Sequence, residues 1–81
     1  MIPEEAAYAL LVLYDAPGHL VPKNKGLAGL QSAFEDTGHN AATFDAGLRH
    51  AVERGWLEKK EHSIVSLTKA GFEEIERRRR G

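Results

Sequence analysis

Eighty-one residues make one domain, and at that length roughly 60–65% of the unfolded surface is buried, so the core is small. Hydrophobic residues at 42% and charged residues at 28% argue against a disordered or membrane-embedded chain, and the absence of cysteine excludes disulfides, thiolate metal sites and a cysteine nucleophile. The formal charge of −1 is unevenly spread. Residues 1–46 hold six acids (Glu4, Glu5, Asp15, Glu35, Asp36, Asp45) and two bases (Lys23, Lys25), whereas residues 47–81 hold six acids and nine bases. No apolar run approaches the ~18 residues of a membrane span, and the opening MIPEEAAY is acidic where a signal peptide is basic; a reducing, cytoplasmic setting is expected.

A first helix is expected from about Pro3 to Ala16. Proline suits the first helical position, Glu4 and Glu5 complement the helix dipole, and Pro17-Gly18 supplies the stop. Tyr8, Leu11 and Val12 lie on adjoining stripes among small alanines. In GHLVPKNKG, His19 to Val21 reads as a brief edge strand broken by Pro22, with Lys23 and Lys25 exposed beside the next helix. The glycines and lysines there lack the spacing of a phosphate-binding loop.

The second helix, Gly26 to Asp36, carries Leu27, Leu30, Ala33 and Phe34 on one stripe, and Gly29 offers a place for another helix to approach. Gly38 is a left-handed stop and Asn40 an N-cap. The third helix, Ala41 to Arg54, is expected to bury Phe44, Leu48 and either Ala51 or Val52. Its other side shows Ala42, Thr43, Ala46, Arg49, His50 and Glu53. Gly47 inside it costs about 1 kcal/mol relative to alanine. After Gly55, Trp56-Leu57 turns inward, and Leu57–Lys60 and Ile64–Leu67 read as two short strands around a polar tip. Thr68 suits the cap of a last helix with Phe72 and Ile75 on its inner face.

Two local motifs, LRHAVERGWLEKK and SLTKAG, together with this element order over about residues 4–76, resemble the winged helix-turn-helix regulators, broadly of the MarR and PadR kind. The resemblance implies an α+β, mostly helical fold of three helices, a two-stranded wing and a C-terminal helix. It implies a DNA-binding transcriptional regulator whose third helix enters the major groove while the wing contacts the backbone. Thr43, Ala46, Arg49 and His50 would then face the groove, and Lys59, Lys60 and His62 would sit on the wing, with Lys23 and Lys25 added as phosphate contacts. The wing is short and mixes Glu58 and Glu61 with its lysines, and only the segment 69–80 remains of the extra helices common in such regulators.

Several features admit a plainer reading. Arg49 suits bidentate contact with guanine, or an ion pair with Asp45 four residues earlier. Arg77 to Arg80 could clamp phosphates, but the i,i+4 spacings Glu73–Arg77, Glu74–Arg78 and Glu76–Arg80 favour pairing along the helix. His19, His39, His50 and His62 fall at no metal-ligating spacing, and Ser32, Ser63 and Ser66 have no nucleophile setting, so neither a metal, another cofactor nor catalysis is expected. Tyr8, Val12, Phe72 and Ile75 would join the first and last helices, either within the chain or as a symmetric dimer. The alternative to DNA binding is a module that binds another protein.

Overall fold

The computed structural model describes residues 2–14, 21 and 23–80. Their order is α1 (Pro3–Val12), β1 (Lys23–Gly26), α2 (Leu27–Asp36), α3 (Ala41–Glu53), β2 (Leu57–Glu61), β3 (Ile64–Leu67) and α4 (Lys69–Arg80). The fold is α+β and mostly helical, four helices with a three-stranded antiparallel sheet in the order β1-β3-β2. No helix among the described residues is long and apolar enough to cross a membrane.

Where punctuation is local, the elements end as the sequence expects. Asn40 Oδ1 accepts a hydrogen bond from the Thr43 N–H at 2.8 Å and starts α3. Gly38 and Gly55 close α2 and α3 with φ of 95° and 78°, a backbone region that other residues enter at a cost. Thr68 Oγ1 accepts from the Gly71 N–H at 3.0 Å and caps α4, while its hydroxyl lies 2.6 Å from the Gly55 carbonyl and 2.9 Å from that of Trp56. One threonine therefore ties the start of α4 to the end of α3.

The first helix departs from expectation. It stops at Val12 rather than Ala16, tightening through Leu13 N–H to Leu10 O (3.2 Å) and Tyr14 N–H to Leu11 O (3.1 Å), three-residue spacings that end the α ladder. The turn swings Tyr14 inward, where it is fully buried and its hydroxyl donates to the Val65 carbonyl at 2.8 Å. The expected edge strand at residues 19–21 is not formed at Val21, and its other positions lie outside the described residues, as does Pro17-Gly18. The strand falls instead on Lys23–Gly26, after the proline, and turns the expected two-stranded hairpin into a three-stranded sheet.

Packing explains two glycines. α1 crosses α3 closely at Gly47, where an added Cβ would sit 2.7 Å from Ala6 Cβ and 2.8 Å from the Ala6 carbonyl carbon. A Cβ on Gly71 would overlap the Trp56 carbonyl oxygen and meet Leu67 Cδ1 at 2.8 Å. Gly29 has no such role, since nothing lies within 4 Å of its Cβ position. Leu10, Leu11, Leu30, Phe34 and Phe44 join Leu57, Val65 and Leu67 in one core. Of the two α3 candidates, Ala51 is fully buried and Val52 is 37% exposed.

Candidate functional site

The outward face of α3 is fixed by what points the other way. With Phe44, Gly47, Leu48 and Ala51 buried, Ala42, Asp45, Ala46, Arg49, Val52 and Glu53 are left exposed, and Thr43 is half-buried beside its cap. Arg49 forms no ion pair within 4 Å among the described residues, so the expected alternative of a bond to Asp45 is not made. It borders a cleft of about 310 Å³ between α3 and β2, shared with Asp45, Leu48, Val52, Glu53 and Lys59. A second depression joins Arg49 to Pro3, Ala46, His50 and Glu53.

His50 is half-buried at the edge of the outer face, where it lines the depression beside Arg49. Its ring meets the edge of Trp56 at a centroid distance of 5.8 Å, and its Nε2 is buried without a hydrogen-bond partner among the described residues. Gly55 brings Trp56 back against the preceding helix turn, which sets the indole edge against the imidazole.

Strand register sorts the charges of β1 and the β2–β3 hairpin. Across the sheet Lys25, Val65 and Lys59 stand opposite one another, as do Lys23, Leu67 and Leu57. Directly opposed residues share a face, so Lys23, Lys25 and Lys59 leave from the side that carries buried Val65 and Leu67. Glu58 opposes Ser66, and a bulge between Lys59 and Glu61 sets Glu61 opposite Ile64. Both acids therefore take the other face, with the extra residue, Lys60, at the bulge. Lys59, Lys60, Glu61 and His62 line a depression at the hairpin end. Lys23 and Lys25 are half-buried strand residues, which corrects their expected place in an exposed loop.

α4 holds α1 through Arg78. Its guanidinium carbon sits 4.6 Å from the Tyr8 ring centroid and 6.0 Å from that of Trp56, with carboxylate contacts to Glu74 at 2.6 Å and Glu4 at 3.4 Å. Of the three expected pairs along α4, only Glu74–Arg78 forms among the described residues; Arg77 also binds Glu74, and Arg79 approaches Glu76 at 4.0 Å. Ile75 is 5% exposed within the core, Phe72 is half-buried, Tyr8 lies under Arg78 and Val12 is 42% exposed.

The Arg77 hydrogen bonds, followed by those of Arg78, hold the Glu74 carboxyl below its ordinary value of 4.5 against the opposing effect of burial. A lowered folded-state value means stability that is present above the unfolded value and is lost as pH falls through the folded one. Glu74→Gln is accordingly expected to lower the urea midpoint at pH 7. The gap from the unchanged chain should then narrow as pH drops below about 4.5, the unfolded value. A gap that stays constant with pH would assign the loss to packing alone.

His39 stacks on Phe34 with centroids 4.5 Å apart, and His62 lies at the hairpin tip, whereas His19 is outside the described residues. Among the described residues no three of His, Asp and Glu gather as a metal site. Compared with protein-family models, curated proteins and solved structures, the chain matches none.

Proposed function

We propose that this chain is a winged-helix domain that binds duplex DNA, with α3 in the major groove and the β2–β3 hairpin on the backbone. The element order and three-stranded sheet are compatible with that fold. The observation that carries the reading is the convergence of Arg49, free of ion pairs among the described residues, and Lys59 on one cleft, which Asp45 and Glu53 also line, while register puts Glu58 and Glu61 on the opposite sheet face. In this reading Arg49 contacts a base, Ala46 and Thr43 permit close approach, and Lys23, Lys25, Lys59 and Lys60 meet phosphates, flanked by His50 and His62.

About four phosphate contacts give a log-log salt slope near −3.6, so duplex affinity is expected to fall by about a hundredfold between 50 and 200 mM salt. Fluorescence anisotropy with a randomised duplex measures this. Lys59→Ala should reduce the slope by about 0.9, and Arg49→Ala should cost selected sequences ~1–3 kcal/mol of discrimination. No anisotropy change at 50 mM salt, with the protein near 100 µM, would exclude the reading.

A second reading rests on the alternation Asp45, Arg49, Glu53 along the same α3 face, beside Val52 at 37% exposure. Opposite charges around an apolar side chain also suit a protein partner. A stable protein complex that Arg49→Ala disrupts, in a chain that shifts no DNA probe, would favour it.

A further inference from the structure

Arg49 does not stand alone on the outer face of α3. Asp45, Arg49 and Glu53 follow one another at intervals of four residues, all three are exposed, and all three border the cleft that Lys59 closes. That spacing invites pairing of Arg49 with either acid, yet none of the three forms an ion pair within 4 Å among the described residues. A carboxylate, a guanidinium and a second carboxylate are thus presented, each without an ionic partner among the described residues, along about 12 Å of helix.

The DNA backbone offers such carboxylates nothing, since phosphates repel them; the hydrogen-bond donors they need are the exocyclic amines on the floor of the major groove. An A·T pair sets its amine between two acceptors, adenine N7 and thymine O4, so a carboxylate that reaches it meets negative charge on both sides. A G·C pair gathers its acceptors, N7 and O6, on the guanine and leaves the cytosine N4 amine at the other end, with an acceptor on one side only. Guanidinium and carboxylate therefore suit opposite halves of G·C pairs. Resting on the DNA reading above, we propose that Asp45 and Glu53 accept hydrogen bonds from cytosine amines near the guanine that Arg49 contacts, so that α3 selects a G·C core. Four residues of helix advance about 6 Å and one base-pair step about 3.4 Å, which puts neighbouring side chains of the stripe on pairs about two steps apart or fewer. Val52, 37% exposed on the same cleft, gives an apolar surface for the C5 edge of a cytosine. The two acids act on selectivity more than on affinity: over A·T pairs they repel what Arg49 and Lys59 attract.

Fluorescence anisotropy of the full chain tests this with three duplex pools that share their flanks and differ in a core of about six base pairs, enough to span the stripe. The core is randomised over G and C, over inosine and C, or over A and T. Inosine keeps the O6 and N7 of guanine and lacks its N2 amine, so an I·C core joins the major-groove pattern of G·C to the minor groove of A·T. The G·C and I·C pools are expected to bind alike, each about tenfold more tightly than the A·T pool. Replacing Asp45 and Glu53 together with alanine should cut that ratio to about threefold, the share left to Arg49, and should tighten binding of the A·T pool. Circular dichroism should be unchanged, because both side chains are exposed and form no ion pair among the described residues. Carboxylates that merely repel phosphates would, once removed, tighten all three pools equally, and an unaltered ratio would overturn the proposal. An I·C pool that binds like A·T would also overturn it, by assigning the preference to minor-groove shape. Equal binding of the unchanged protein to all three pools would reject this assignment and leave DNA binding standing. Binding to none of them would remove the DNA reading itself, and this assignment with it.

Discussion

Replacing Gly47 with alanine is expected to destabilise the fold by about 3 kcal/mol, although alanine is the better helix former by ~1 kcal/mol. The added methyl would stand 2.7 Å from Ala6 Cβ, 2.8 Å from the Ala6 carbonyl carbon and 3.0 Å from its oxygen. Two of these three neighbours are backbone, so no rotamer change relieves the overlap and α1 must move off α3. Ala6→Gly removes only the Cβ contact, and the double variant should recover only part of the loss. Gly29→Ala is the matched control on α2, where nothing lies within 4 Å of the new methyl. It should stabilise by ~0.5–1 kcal/mol through helix propensity and the lowered entropy of the unfolded chain. Urea titrations of the four proteins separate these effects. Equal responses at Gly47 and Gly29 would show that the α1–α3 crossing does not exclude a methyl group.

That contrast marks what the sequence reveals and what it withholds. The bounds of α2 and α3, the Asn40 cap, the left-handed Gly38 and Gly55 and the Thr68 cap are all readable, because each is set by neighbours within about four residues. β1 is not readable. KNKG has little strand preference of its own and becomes a strand by pairing with β3 some forty residues later. The same dependence on register hides the sorting of the hairpin charges: as a string Glu58, Lys59, Lys60 and Glu61 cancel, whereas pleat and bulge part the acids from Lys59. Helical spacing likewise offers more ion pairs on α4 than one geometry can close, and contact with Glu74 decides which form. Arg49 and Lys59 are identifiable as candidates from sequence, but their shared cleft is a tertiary fact. The half-burial of His50 is hidden for the same reason, since only the fold brings Trp56 against it.

Tyr14 is the residue whose loss should be felt most widely, because it joins the end of α1 to the central strand. It is 1% exposed and its hydroxyl reaches the Val65 carbonyl at 2.8 Å. Tyr14→Ala removes a whole buried ring and is expected to cost about 4 kcal/mol, most of the stability of a domain near the lower end of the usual ~5–15 kcal/mol. Tyr14→Phe keeps the ring and gives up the hydrogen bond, for a loss of ~1–2 kcal/mol at neutral pH. The two substitutions also differ in what alkali does. Burial pushes the Tyr14 phenol well above its ordinary value of 10.0, so as pH rises past 10 the unfolded chain releases this proton while the folded chain keeps it. The unfolded state then binds fewer protons, and stability falls with rising pH. Between about pH 9 and 11 the unchanged protein should therefore lose more stability than Tyr14→Phe, with the gap between them closing as the phenol titrates in the unfolded chain. Urea midpoints across that range measure it, and parallel declines would show that the buried hydroxyl does not govern the alkaline limb.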